Sequence, residues 1–148
     1  MVINMEYKRT DDLLEQLKLQ NISYADYLSE NEDSFVVKDL TAFWKKTIKK
    51  SNMSKIDIIN GADMGYTYFY NIIGGKSIPA RDTIVKIYIS MGLDIDDCQT
   101  ALKLYNWAYL YPKNKRDSIL IYALTHKLSL YEVEDMLVSQ GEKGLKTI

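Results

Sequence analysis

The stretch GYTYFYNIIGGKSIP, residues 65–79, packs three tyrosines and a phenylalanine into five positions, then runs into a glycine pair and a proline. Glycine readily takes the left-handed conformation that closes helices, so Gly74-Gly75 marks a helix end. Pro79 lacks the backbone N–H that an immediate helical continuation would need. The spacing predicts a short helix over about 66–73. Aromatics this dense either fill a core or form the working edge of a binding site, and the flanking sequence has to decide which.

Upstream, Ser54 stands three residues before Asp57, a serine N-cap followed by an acid, and opens a short helix with Ile58 and Ile59 facing inward. The segment GADMG (61–65) breaks it, since Gly61, Asp63 and Gly65 tolerate turn or left-handed backbone. Before that, Val37, Leu40, Trp44 and Ile48 recur at helical spacing, with Lys45, Lys46, Lys49 and Lys50 toward the negative end of the helix dipole. Asp11 and Asp12 open a first helix carrying Leu13, Leu14 and Leu17, and Ser23 caps a second. Downstream, helices are expected over 81–91 (ended by Gly92), near 96–109, near 116–126, and from the capping box Ser129…Glu132 to Gly141. No run alternates with period two, so the expected class is all-α.

The 148 residues suffice for one compact domain with attached helices, and 47% apolar with 26% charged is ordinary for a soluble globular protein. No apolar run is long enough for a membrane span, and none at the N-terminus resembles a signal peptide. The single cysteine, Cys98, fits a reducing, cytoplasmic location. A net charge of −1 conceals segregation. Residues 1–40 carry four basic against nine acidic groups, a net of −5; residues 41–92 carry eight against three, a net of +5; residues 93–148 carry seven against eight. The positive excess shares a third of the chain with the tyrosine-rich stretch, as a nucleic-acid face requires.

Two short helices joined by a tight turn, after a basic helix and before a proline-marked loop, form a helix-turn-helix pattern. From about residue 40 to 93 the chain resembles the lambda-repressor-like (Cro/repressor-type) family of DNA-binding domains. Met53-Ser54 matches the start of the second helix, Ile58 and Ile59 its buried pair, and Asp63 the place where the family usually has a turn glycine. Met64 matches the apolar residue after the turn, Phe69 and Ile72 the buried positions of the recognition helix, and Gly75-Lys76 with Pro79 the Gly-Lys…Pro ending. Ile84, Ile87 and Leu93 match the following helix.

The resemblance implies a fold, a partner and a division of residues 65–79. Phe69, Ile72 and Ile73 would be core, with Tyr68 packing between the faces. Tyr66, Thr67, Tyr70 and Asn71 would read bases in the major groove, asparagine by a bidentate contact to adenine and threonine by its methyl and hydroxyl. Lys55, Lys76 and Arg81 would hold phosphates, fixing register without reading sequence. Residues 37–95 would form the DNA-binding core, 1–36 an acidic helical extension, and 96–148 a C-terminal helical extension that packs on the core or forms a homodimer interface. Transcriptional regulation through double-stranded DNA is the implied role. Two departures weigh on it: many members carry arginine or serine where Gly65-Tyr66 stands and a further basic residue at Ser77, and no cation lies between Gly65 and Gly75. Modest affinity that falls steeply with salt follows. The alternative is a protein–protein interaction module that uses the exposed tyrosines on a partner protein, since tyrosine buries large area at low entropic cost.

Enzyme, metal and cofactor readings fail on spacing. His126 and Cys98 stand alone on separate helices, so no metal site is expected. Asp94, Asp96 and Asp97 lack the glycine and glutamate of a calcium loop and serve a helix N-terminus better. Gly74-Gly75-Lys76-Ser77 lacks the earlier glycine and the strand of a phosphate-binding loop. No catalytic residue and no cofactor is expected.

Overall fold

The computed structural model describes residues 9–32 and 39–145 and is all-helical, with nine helices among them. The chain divides into two compact units, Met1–Lys38 and Asp39–Ile148. The first contains α1 (Thr10–Leu17) and α2 (Tyr24–Glu30). Ser23 caps α2 by accepting from the Asp26 amide at 3.1 Å. Gln16 ties α1 to α2, donating to Glu30 at 2.7 Å and accepting from Asn31 at 3.1 Å. Leu14 and Leu17 remain about half exposed, and α1 buries no residue.

The second unit holds α3 (Leu40–Ser51), α4 (Lys55–Ala62), α5 (Tyr66–Ile73), α6 (Arg81–Met91), α7 (Ile95–Leu104), α8 (Lys115–Thr125) and α9 (Leu130–Ser139). Asp39 caps α3 through the Ala42 amide at 3.0 Å; Val37, expected on this helix, lies outside the described residues. α6 is the central helix. Every residue from Thr83 to Ile89 is buried, the pattern of a helix packed on all sides. One apolar cluster runs from Trp44 on α3 to Leu145 after α9, so the helices beyond residue 95 share the core of those before it. Trp44 is fully buried, and its indole N–H donates to the Tyr105 hydroxyl at 2.7 Å, satisfying the one polar atom it carries inward.

Five helices end in the same way. At α4, α5, α7, α8 and α9 a left-handed residue (Asp63, Gly75, Asn106, Lys127 and Gly141) donates to the carbonyl three back, and the next amide donates to the carbonyl five back. This double bond satisfies carbonyls that a helix end would otherwise leave bare. It also closes α7 at Leu104, five residues short of the end expected near 109. Gly61, expected in a turn, sits instead within α4, where a side chain would collide with the Ser90 hydroxyl of α6. Its bareness lets α4 lie closely on α6, and the Ser90 hydroxyl donates to the Ile58 carbonyl at 2.7 Å.

The first turns of α6 and α8 are joined by a reciprocal pair of bridges. Arg81 makes two bonds of 3.0 Å to Asp117, and Arg116 returns two, of 3.0 and 2.9 Å, to Asp82. Two Arg-Asp dipeptides thus exchange forked guanidinium–carboxylate contacts, the strongest geometry available to an ion pair.

Candidate nucleic-acid interface

Helices α4 and α5 are separated by three residues, Asp63, Met64 and Gly65. Ser54 caps α4 through the Asp57 amide at 3.1 Å, and Ile58, Ile59 and Ala62 face the core. On α5, Phe69 and Ile72 are fully buried. Burying those two leaves two adjacent ridges of the helix facing out, Tyr66 with Tyr70 and Thr67 with Asn71, each pair four residues apart. Tyr66 and Thr67 are exposed; Tyr70 and Asn71 are half-buried. The four sequence-expected base-reading residues therefore form one continuous patch. Tyr68, expected to pack, is exposed beside them.

The patch is ordered by its own contacts. The rings of Tyr66 and Tyr70 lie 4.6 Å apart, and the Lys55 ammonium stands 5.5 Å from the Tyr70 ring centroid. A hydrogen bond to Tyr70, with its charge, holds the Tyr66 hydroxyl above the ordinary tyrosine value, and Lys55 opposes this slightly. Past the helix, the Asn71 carbonyl accepts from the amides of Lys76 (2.8 Å) and Ser77 (3.1 Å), fixing the path of the loop that follows.

The expected phosphate ligands divide. Lys55 lies at the edge of the patch, and Lys76 is exposed in the loop after α5; neither forms an ion pair among the described residues. Arg81 is different. Its guanidinium is engaged by Asp117 and by the carbonyls of Ala108 (3.0 Å) and Tyr109 (2.8 Å). These bonds use four of its five N–H donors, so Arg81, expected to hold a phosphate, serves in this structure as a strut between α6, α8 and the loop before α8.

A side chain passed over in sequence completes the picture. Lys45, with Thr41 and Ile48 from α3, Lys55 from α4 and Ile73 from α5, lines a cleft of about 230 Å³ beside the tyrosine patch. The signal was present in the lysine run 45–50, but helical phase alone did not select Lys45. Lys50 is occupied elsewhere, bonded to Asp97 at 2.8 and 2.9 Å, and that hydrogen bond raises its pKa despite slight desolvation.

The remaining chemistry is quiet. Burial pushes the Cys98 thiol up to about 12, which removes its nucleophilic character at neutral pH. Among the described residues no group of histidine, cysteine and carboxylates could hold a metal, and no helix is long and apolar enough to cross a membrane. No protein-family model, curated protein or solved structure matches the chain.

Proposed function

We propose that the protein binds double-stranded DNA sequence-specifically as a transcriptional regulator, with α4 and α5 as a lambda-repressor-like helix-turn-helix and α5 in the major groove. The observation that carries this reading is the division of α5. Its apolar side is fully buried, while Tyr66, Thr67, Tyr70 and Asn71 form one outward patch flanked by Lys45, Lys55 and Lys76 without ion-pair partners among the described residues. Asn71 and Thr67 supply donors and a methyl suited to base edges, and the tyrosine hydroxyls suit phosphates and sugars. A homodimer on a two-fold site would double the contact and offset the weak charge of each recognition helix.

The test is selection of bound sequences from a randomised duplex library, followed by salt titration of the winner. Three phosphate-binding lysines per protomer give a slope of log K against log salt of about −3, or about −5 for a dimer. Asn71→Ala should relax specificity at one base pair, and Lys55→Gln should lower the slope by about one at every sequence. A second reading is favoured by the exposure of Tyr66, Tyr68 and Ile78: a protein partner seated on the tyrosines. A folded protein that enriches no duplex at low salt refutes DNA reading and leaves that one.

A further inference from the structure

The loop between α7 and α8, residues 105–114, presents Trp107, Tyr109 and Tyr111 outward, at 39%, 52% and 55% exposure, while Leu110 between them is buried. Exposed aromatics usually sit on mobile surface. These sit on a backbone pinned at nearly every step. Asn106 in left-handed conformation turns the chain, and the Trp107 amide donates to the Leu102 carbonyl at 2.9 Å. The Gln99 side chain clamps Leu110 through both its amide and its carbonyl, each at 2.9 Å. Arg81 holds the Ala108 and Tyr109 carbonyls, and Asp117 accepts from the Tyr111 amide at 3.0 Å. Rings held out on a preorganised frame lose little further freedom when they are covered, which is what a contact surface needs.

The loop is also joined to the candidate interface. The Trp107 indole N–H donates to the Pro79 carbonyl at 3.0 Å, so the aromatic loop abuts loop 74–80, which leaves α5 and carries Lys76 and the exposed Ile78. Trp107, Tyr109, Ala108 and Asn106 line an open cleft of about 490 Å³ with Lys103 at its side. The loop itself carries no carboxylate, and Asp117 of α8, which bonds to it, is neutralised by Arg81, whereas Lys103 and Lys113 form no ion pair among the described residues. The surface is therefore aromatic, rigid and positive.

Resting on the DNA-binding reading, we propose that this loop is a second DNA contact: it receives the sugar–phosphate backbone flanking the α5 site. Lys103 and the Asn106 side-chain carboxamide would meet a phosphate, and the rings of Trp107 and Tyr109 the adjoining deoxyribose. The contact would lengthen the bound duplex on the side to which α5 delivers its C-terminal end, and would contribute affinity that the uncharged recognition helix lacks.

The test uses the full chain and the duplex selected with it, in one version trimmed to the sequence-specific core and one extended by about six base pairs on each side, about half a helical turn. Wild-type protein should bind the extended duplex on the order of tenfold more tightly than the trimmed one. Tyr109→Ala and Trp107→Phe should erase most of that difference, and Lys103→Gln should lower the salt slope by about one on the extended duplex alone. Because Trp44 is fully buried, DNA should quench tryptophan emission through Trp107, and Trp107→Phe should abolish the change. Lys103→Gln keeps the assay decisive if a ring variant loosens the loop, since an exposed lysine has no folding role here. A selected duplex whose length is irrelevant, with an unchanged slope in Lys103→Gln, overturns this proposal and leaves the α5 reading standing. Failure to select any duplex removes both.

Discussion

Replacing Arg81 by methionine separates a strut from a phosphate ligand. Methionine keeps most of the aliphatic stem while deleting the guanidinium, and so leaves Asp117 without the partner that matches its two oxygens. The Asp117 side chain is 9% exposed and that of Arg81 23%. Stranding one member of a fully buried ion pair costs about 3–5 kcal/mol; the partial exposure of Arg81 reduces this to about 2–3 kcal/mol. The folding unit, Asp39–Ile148, is of a size for which 1 kcal/mol moves the melting temperature by about 4 °C, so a fall of about 8–12 °C is expected. Arg81→Lys should fall nearly as far, because an ammonium cannot form the fork or reach the Ala108 and Tyr109 carbonyls together.

The pH dependence supplies an independent check. Burial pushes the Asp117 carboxyl up, but the Arg81 hydrogen bonds, the Tyr111 amide and the charges of Arg81 and Arg116 together hold it below its ordinary value. A depressed folded value gives stability that is present above the unfolded pKa of about 4 and is lost as pH falls through the folded value. In Arg81→Met, burial is opposed only by the Tyr111 amide and the Arg116 charge, so Asp117 protonates earlier and relieves its own cost. The gap in melting temperature between wild type and variant should therefore be widest near neutrality and close as pH falls below about 4. Thermal melts followed by circular dichroism read both effects. An unchanged melting temperature, combined with weaker DNA binding and a salt slope smaller by one, would refute the strut and restore Arg81 as a phosphate ligand.

The two sides of α5 should respond oppositely. Phe69→Ala, at a fully buried position, should cost about 3–5 kcal/mol in chemical denaturation, whereas Tyr66→Ala should stay within about 0.5 kcal/mol of wild type while weakening DNA binding. Gly75→Ala should destabilise by about 1–2 kcal/mol, because the residue sits at φ +77° although the space around a new Cβ is adequate, with Leu40 Cβ 3.8 Å away; a measured effect near zero would mean the left-handed turn relaxes freely. Deleting residues 1–36 removes three basic and eight acidic groups, and the truncated chain should bind DNA more tightly at low salt, the difference vanishing at high salt. Unchanged or weaker binding by a folded truncation counts against electrostatic tuning by the N-terminal segment.

Features whose cause lies within one helical turn were legible in the sequence. Ser23, Ser54 and the Ser129–Glu132 box cap α2, α4 and α9, and Gly75, Gly92 and Gly141 close α5, α6 and α9, because a cap bonds to amides or carbonyls a few residues away. One miss was local: Asn106 closes α7 through bonds to Lys103 and Leu102, and asparagine is a weaker stop signal than glycine. The other misses were set from a distance. Gly61 reads as a turn residue until Ser90 of α6 is placed against it. Arg81 reads as a free cation until Asp117, thirty-six positions on, is folded back to meet it.

These distant pairings also change the charge argument, though less than their number suggests. Of the eight cations in residues 41–92, Lys50 and Arg81 are neutralised by Asp97 and Asp117, both outside the segment. One of its three acids, Asp82, is neutralised in return by Arg116. Six cations then face two acids, so the net of +5 falls only to +4. Lys86 among the six is buried on α6 and contributes little to the surface field. The charge that a phosphate backbone would meet therefore rests on Lys45, Lys46 and Lys49 of α3, Lys55 of α4 and Lys76 beyond α5. This distribution puts the positive charge on the elements around α5 and leaves α5 itself to neutral hydrogen-bonding groups. Under the proposed DNA-binding function, affinity and sequence reading fall to different side chains, which is why Lys55→Gln and Asn71→Ala should give separable defects.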